Sequence, residues 1–246
     1  MGDFIHLNSV HLNYLEPLLK WRVLDLESLR KESYRAPTYK NFQRIIRSLE
    51  KQKILEGYRD PFNRKKYVYL SSFGEGKLAL DENPTALSKD TLIHDIKVTE
   101  IAKAMLEEGW ILDADLEHRI NDKRNFRTIY NIIPDAVLHG CKAGVNYKIA
   151  MELELSRKNN QRIVEKVAQY LQGSQFNYVL YLFPKKSLLE KYVEVIKEKL
   201  GDNGLERLMF FYDDRLTAET SKIGEWDGIF KGRKLKLREL FEVTAT

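Results

Sequence analysis

Apolar residues in the first fifty positions recur at helical spacing and are separated by turn-forming residues. The spacing predicts helices over residues 10–21 and 23–30, and Asp25 can cap the second of them. After Pro37, residues 39–53 carry apolar side chains at positions i, i+3, i+4 and i+7, which predicts a third helix with one buried stripe. That stripe consists of Phe42, Ile45, Ile46 and Leu49.

A β-hairpin and a closing helix complete the pattern of this first region. Residues 54–58 and 66–70 are typical of strands and flank a turn-rich segment over residues 59–65. Residues 71–80 then predict a short helix. Three helices followed by a hairpin is the order of a winged helix-turn-helix domain, which we assign to residues 1–80.

A polar, proline-containing segment over residues 81–91 predicts a linker, and residues 92–246 form a second predicted domain. Helical and strand-like patterns alternate along it in the order α-β-β-β-α-β-α-β, which predicts a mixed central sheet flanked by helices. The last thirty residues give no clear pattern. The predicted helices cover residues 92–108, 159–172 and 187–200. The five predicted strand regions cover residues 110–112 together with 116–119, then 134–137, 145–155, 178–183 and 208–212.

Three acidic residues lie in or beside two of these predicted strands. Because alternate residues of a strand share a face, Glu152 and Glu154 project together, while their neighbours point into a core. Asp135, on the preceding strand of a hairpin, can complete a cage of hard oxygen ligands suited to Mg²⁺ or Mn²⁺. The alternative is that these acids are solvated residues on the outer face of an edge strand.

Positive charge is concentrated in the first third of the chain. Residues 1–80 hold 15 Lys and Arg against 9 Asp and Glu, a balance of +6, so the remaining 166 residues come to −1 of the total +5. A basic module joined to a near-neutral body is typical of proteins that bind polyanions, among which nucleic acid is the commonest.

The cations of this region fall on the two elements that a winged helix presents to DNA. On the third predicted helix they occur at i, i+4, i+7 and i+11, with only Glu50 to offset them, and others flank the predicted hairpin turn. We therefore expect double-stranded DNA as the partner. The alternative is a basic three-helix bundle that binds nothing. The predicted DNA-binding residues are Lys40, Arg44, Arg47, Lys51, Arg59, Arg64, Lys65 and Lys66.

Composition excludes several classes of protein. No apolar run approaches the roughly 20 residues that span a bilayer, and the N-terminal residues lack the pattern of a secretory signal. The single cysteine, Cys141, excludes an intrachain disulfide and a cysteine-built zinc site, and it fits a reducing compartment. We therefore expect a cytoplasmic protein without a membrane segment. The sequence leaves the oligomeric state open, and a homodimer is one alternative.

The acidic region resembles the PD-(D/E)xK nuclease core, a helix-β-β-β-helix-β fold. Asp135, after Pro134, matches the first acid of that core, and Glu152 matches the second, whereas Glu154 stands at the usual lysine position. The resemblance implies that Asp135 and Glu152 hold a metal ion and that Glu154 adds a ligand or orients the attacking group. Lys158 would supply the missing cation, or it is an ordinary exposed lysine.

The combination of a winged helix with this core also resembles the plasmid replication-relaxation family, which includes MobC-type relaxases. The likeness covers most of residues 10–215, and it includes His94-Asp95 and the strand Tyr178–Tyr181. The implied fold is α+β, a winged helix-turn-helix followed by an α/β restriction-endonuclease-like domain with a mixed central sheet. The implied activity is metal-dependent nicking of one DNA strand at a plasmid transfer or replication origin.

Two other functions stay open at the level of sequence. The first is a non-catalytic DNA-binding regulator whose degenerate nuclease fold serves dimerisation or partner contact. The second is an RNA-binding or tRNA-processing protein, since nuclease cores also serve there. The five histidines never form a His-x-His pair, and no phosphate-binding loop or nucleophile elbow is present, so histidine-cluster relaxases, NTPases and serine hydrolases lack support.

Overall fold

A computed structural model describes residues 7–78, 87–88, 90–122, 127–128, 132–218, 220 and 222–242. The chain divides into two compact units, residues 1–99 with 121–127 and residues 100–120 with 128–246. The division falls within a helix, α5 (Leu92–Glu107). Most of the predicted linker lies outside the described residues.

In the first unit, polar side chains that directly precede the first two helices cap their N-termini. Asn8 accepts a hydrogen bond from the His11 amide at 2.9 Å, and the Asp25 carboxylate accepts from the Glu27 and Ser28 amides at 2.9 and 3.1 Å. The cap predicted for Asp25 is therefore confirmed. The helices are α1 (Ser9–Trp21), which contains Pro17, α2 (Leu26–Glu32), α3 (Tyr39–Lys51) and α4 (Ser72–Lys77).

A three-stranded antiparallel sheet completes this unit. The predicted hairpin forms β2 (Leu55–Arg59) and β3 (Lys66–Leu70). The third strand, β1 (Val23–Asp25), pairs with β3, so the strand order is β1-β3-β2. Sequence patterns predict a helix for all of residues 23–30. The first three of these residues form a strand instead, because they pair with β3, and no pattern of their own indicates that strand.

A seven-stranded mixed sheet forms the centre of the second unit, in the order β12-β11-β10-β9-β8-β7-β4. The pairs β8-β9 and β9-β10 are parallel and the other pairs are antiparallel. The strands are β4 (Asp113–Leu116), β7 (Ala136–Lys142), β8 (Val145–Leu153), β9 (Tyr178–Phe183), β10 (Leu208–Tyr212), β11 (Asp227–Phe230) and β12 (Arg233–Lys236). The predicted mixed sheet with flanking helices is confirmed.

Two helices connect the parallel strands and cover one face of the sheet. They are α7 (Asn160–Gln172), between β8 and β9, and α8 (Lys186–Leu200), between β9 and β10. Buried side chains of both helices, such as Val167 and Ile196, pack against sheet residues such as Ala150 and Phe210. The remaining short elements are α6 (Glu117–Ile120), a paired β5 (Asn121–Asp122) and β6 (Arg127–Thr128), and 3₁₀ turns at Asp202–Leu205, Ile223–Glu225 and Leu237–Leu240.

The structure also differs from the sequence prediction within the second unit. Residues 110–112 and 116–119 were expected to be strands, but the strand is β4 and residues 117–120 form a helical turn. Pairing with β7 sets this register, because it buries Ala114 and Leu116 on one face. The final thirty residues, which gave no pattern, contain the hairpin β11-β12. Lys231 and Gly232, both at positive φ, form its two-residue turn.

None of the helices in the described part of the chain has the length and apolar composition needed to cross a membrane.

Candidate functional site

Glu152 and Glu154 lie in the interior of the second unit. Strand β8 has neighbours on both sides, and Glu152 and Glu154 are 1% and 5% exposed. The alternative of solvated acids on an edge strand is therefore wrong. Glu152 is the penultimate residue of β8, and Glu154 follows the strand, with its amide donating to the Leu182 carbonyl of β9 at 2.9 Å.

Both carboxylate oxygens of Glu152 have partners on helix α7. The Lys166 ammonium contacts Oε2, and the Tyr170 hydroxyl donates to Oε1. Burial raises the pKa of Glu152 to about 8, and the nearby Asp135 charge adds to this rise, whereas the Lys166 charge and both hydrogen bonds oppose it. Glu152 is thus a carboxyl group that ionises less readily than an exposed glutamate.

Asp135 lies beside the end of β8, as the hairpin prediction requires. It directly precedes β7 and is half-buried, and its amide donates to the Met151 carbonyl at 3.1 Å. Its Oδ2 accepts a hydrogen bond from the Leu153 amide at 2.7 Å. The charge of Asp135 raises the pKa values of both Glu152 and Glu154, so the three predicted acids form one electrostatic cluster.

Lys158 and Glu154 form the outer part of this cluster. The Lys158 ammonium lies 3.9 Å from Glu154 Oε2, which is a long ion pair. Burial raises the pKa of Glu154, while the charges of Lys166 and Lys158 lower it. Lys158 precedes the first residue of α7 and does not contact Glu152, so the cation nearest the cluster centre is a different lysine.

Lys166 is that lysine, and sequence analysis missed it. The Lys166 side chain is 30% exposed, and it contacts the Glu152 side chain, which is 2% exposed. Burial alone lowers the pKa of Lys166, but the charges of Glu152 and Asp135 outweigh burial and raise it, so the ammonium form is stabilised. The available signal was its position on α7, one turn from both Ile163 and Tyr170 of the buried stripe.

Tyrosine hydroxyls line the remaining side of the acidic cluster. Tyr181, opposite Glu152 on β9, is 1% exposed, and its hydroxyl has no hydrogen-bond partner among the residues that the structure describes. Burial and the charges of Glu152 and Glu154 raise the pKa values of Tyr181 and Tyr192, so both stay protonated. Both phenols are therefore neutral groups beside the buried acids.

The acidic cluster fits a hard divalent cation in the chemistry of its donors. Asp135, Glu152 and Glu154 offer the carboxylate oxygens that Mg²⁺ and Mn²⁺ prefer. Within the described ranges, no three acidic, histidine or cysteine side chains already stand in a coordinating arrangement. Lys166 and Tyr170 each form a hydrogen bond with one oxygen of Glu152. For Glu152 to bind a metal ion, at least one of these hydrogen bonds must break.

Glu117 and Asp115, two further acids of the second unit, differ in their position relative to the acidic cluster. The Glu117 amide donates to the Asp135 carbonyl at 2.9 Å, so this residue adjoins the cluster. Asp115 instead accepts from the His139 ring at 3.0 Å and pairs with Arg119 at 3.1 Å.

In the first unit, helix α3 and the β2-β3 hairpin enclose a concave basic surface. The cavity has a volume of about 340 Å³, and its lining combines Tyr39 and Gln43 of α3 and the acids Asp25 and Glu27 with five cations, which are Arg47, Arg59, Arg64, Lys65 and Lys66. Five of the predicted DNA-binding residues therefore share one surface. Lys40, Arg44 and Lys51 are also exposed, on the face of α3 turned away from Phe42, Ile46 and Leu49.

Lys66 differs from the other predicted DNA-binding residues. Its ammonium lies 2.6 Å from Glu50 Oε2, and both side chains are about one-quarter exposed, at 26% and 22%. This ion pair joins α3 to β3 and offsets the charge of Lys66. The exposed basic surface therefore consists of the remaining seven predicted residues.

Neither a protein-family model nor a curated protein matches the sequence.

Proposed function

We propose that the protein is a DNA strand nickase, in which the first unit binds duplex DNA as a winged helix and the second unit cleaves one strand with Mg²⁺ or Mn²⁺. The observation that carries this proposal is the convergence of Asp135, Glu152, Glu154 and Lys166 on one cluster. The likeness to the plasmid replication-relaxation family adds a plasmid transfer or replication origin as the proposed target.

Binding of DNA by the first unit is supported by the geometry of α3 and the hairpin. A recognition helix lies in the major groove, and a hairpin beside it reaches the adjoining backbone. Arg47 on α3 and Arg59, Arg64 and Lys65 on the hairpin line one concave surface, which fits a curved row of phosphates.

A nuclease-like second unit is supported by topology as well as by the acids. The elements α5, β4, β7, β8, α7 and β9 follow the helix-β-β-β-helix-β order of the PD-(D/E)xK core, with the short elements α6, β5 and β6 between β4 and β7. Glu152 and Glu154 lie at the carboxyl end of β8, beside the parallel strand β9, which is where open α/β sheets bind ligands.

Each side chain of the cluster has a distinct role in this proposal. Asp135 and Glu152 would hold the metal ion, which when bound supplies positive charge to the scissile phosphate and lowers the pKa of a bound water. Lys166, kept cationic by the neighbouring acids, stabilises the negative charge that develops on the phosphate oxygens. Tyr170 holds the Glu152 carboxylate in place.

The proposal is tested on a supercoiled plasmid that carries a duplex sequence selected from a random pool by the protein itself. We expect Mn²⁺-dependent conversion to the open circular form, and at least a hundredfold loss of this conversion in Asp135→Asn, Glu152→Gln and Lys166→Met, with plasmid binding retained. Glu165→Gln, an exposed glutamate on the same helix, is the matched control and should nick like wild type. Unchanged nicking by Asp135→Asn and Glu152→Gln would refute the assignment.

One observation favours the second candidate, a non-catalytic DNA-binding regulator. Lys166 and Tyr170 already satisfy both oxygens of Glu152, so the buried acid is balanced without a metal ion. In that case the same assay would give sequence-specific binding that is equal with Mn²⁺ and with chelator, and no nicked product.

A further inference from the structure

The tip of the β2-β3 hairpin presents an aromatic side chain to solvent. Phe62 is 70% exposed, although a phenylalanine in a folded protein normally buries most of its apolar surface. The neighbouring Asp60 is 5% exposed and Tyr67 is 1% exposed, so the hairpin itself is well packed below the tip.

Side-chain hydrogen bonds fix the conformation of this tip. The Asp60 carboxylate accepts from the Phe62 amide at 2.7 Å, and the Asn63 side chain accepts from the Lys65 amide at 2.8 Å and donates to the Tyr67 hydroxyl at 3.0 Å. The amide of Asp60 donates to the Lys65 carbonyl at 3.0 Å, which closes the loop. The ring of Phe62 is thus held outward by a preorganised turn, which lowers the entropic cost of binding.

Three cations share the hairpin tip with Phe62. Arg59, Arg64 and Lys65 are all exposed on the same tip, and Arg59 also donates to the Arg64 carbonyl at 3.1 Å. An apolar side chain that shares its tip with cations matches a duplex, whose stacked bases lie between two rows of phosphates.

We infer that Phe62 is an apolar wedge that enters the minor groove and partly unstacks one base step, so that the protein kinks the DNA it binds. This inference rests on the proposed binding of duplex DNA by the first unit. With α3 in the major groove, the hairpin tip meets the adjoining minor groove, where proteins that bend DNA insert Phe, Leu or Met between base pairs. Arg59, Arg64 and Lys65 then hold the phosphates on either side.

The test uses the full chain and a duplex selected from a random pool, with 2-aminopurine placed at successive steps and fluorophores at the two ends. Wild type should raise 2-aminopurine fluorescence at one step and shorten the end-to-end distance. Phe62→Ala should abolish both effects and weaken binding about tenfold, since one aromatic–base contact is lost. Phe62→Leu, which keeps an apolar wedge, should retain the kink.

Phe73→Ala removes another exposed aromatic, 46% exposed on α4, and should bind and bend like wild type. The inference is overturned if Phe62→Ala bends and unstacks the duplex as wild type does, or if wild type binds without bending. Failure of the underlying DNA-binding proposal looks different, because wild type would then select no duplex from the pool.

Discussion

A single buried carboxyl group dominates the chemistry of the second unit. Glu152 lies under α7 with Asp135 nearby, and ionising it there is unfavourable even with the Lys166 charge in contact. An ion pair at this depth offsets only part of the desolvation cost. The residue is therefore retained at the expense of stability, which is typical of a functional site.

The raised pKa of Glu152 makes stability depend on pH. Because the folded pKa of about 8 exceeds the ordinary value of 4.5, the folded state binds this proton more tightly than the unfolded state. The contribution of Glu152 to the free energy of unfolding is fully present below about pH 4.5 and is lost as the pH rises through 8. The loss is on the order of 5 kcal/mol. Glu152→Gln mimics the protonated acid, so we expect it to match wild type near pH 5 and to be more stable by a few kcal/mol at pH 9.

Urea denaturation across this pH range measures the effect. Glu165→Gln, at an exposed position, should follow wild type at every pH. A parallel pH dependence of wild type and Glu152→Gln would show that Glu152 is not the source of the change.

At the level of elements, helix α4 depends on a glycine for its packing. Ser71 caps the helix by accepting from the Gly74 amide at 2.9 Å, and its own amide donates to the Ile54 carbonyl at 3.0 Å. This close approach leaves no room at Gly74, where an added Cβ would collide with the Ile54 carbonyl group, whereas a Cβ at Gly76 meets no atom within 4 Å.

The two glycines of α4 therefore give opposite predictions for the same substitution. Gly74→Ala should lower the free energy of unfolding by about 1 to 3 kcal/mol, because the backbone of Ile54 must move. Gly76→Ala should raise it by up to about 1 kcal/mol, because alanine favours helix and fills open space. Equal effects of the two substitutions in urea denaturation would contradict this account of the packing.

Elements with strong periodicity could be predicted from sequence, and elements that depend on pairing could not. Strands β9 and β10 have the predicted bounds, because an apolar run covered on both faces is a local signal. Strand β1 was missed, because it exists only beside β3.

The candidate site likewise contains some residues that could be predicted from sequence and others that could not. Asp135, Glu152 and Glu154 were predicted because they lie on or beside a local hairpin. Lys166 and Tyr170 lie 14 and 18 residues beyond Glu152, and only the return of α7 across the sheet brings them to it. A contact made by such a crossover has no spacing in the sequence that reports it.

For the whole molecule, the main asymmetry is electrostatic. Residues 1–80 carry a charge of +6 and the rest of the chain −1. In the second unit many cations are paired, such as Lys197 with Asp202 and Arg238 with Glu225, whereas α3 and the hairpin tip present exposed cations together. Attraction to a polyanion would therefore be a property of the first unit, and the proposed cleavage would act on DNA that this unit binds.

This charge distribution predicts how salt weakens DNA binding. Each phosphate contact releases condensed counterions and contributes about −0.9 to the slope of log K against log salt. We expect the double variant Arg44→Ala/Lys65→Ala, one cation from α3 and one from the hairpin, to be shallower than wild type by about 1.8. Arg47→Ala, if it removes a base contact, should weaken binding by about 1 to 3 kcal/mol with little change in slope. Lys77→Ala, an exposed lysine on α4, is the matched control. Fluorescence anisotropy over a series of salt concentrations gives the slopes, and a double variant with the wild-type slope would place the DNA elsewhere on the protein.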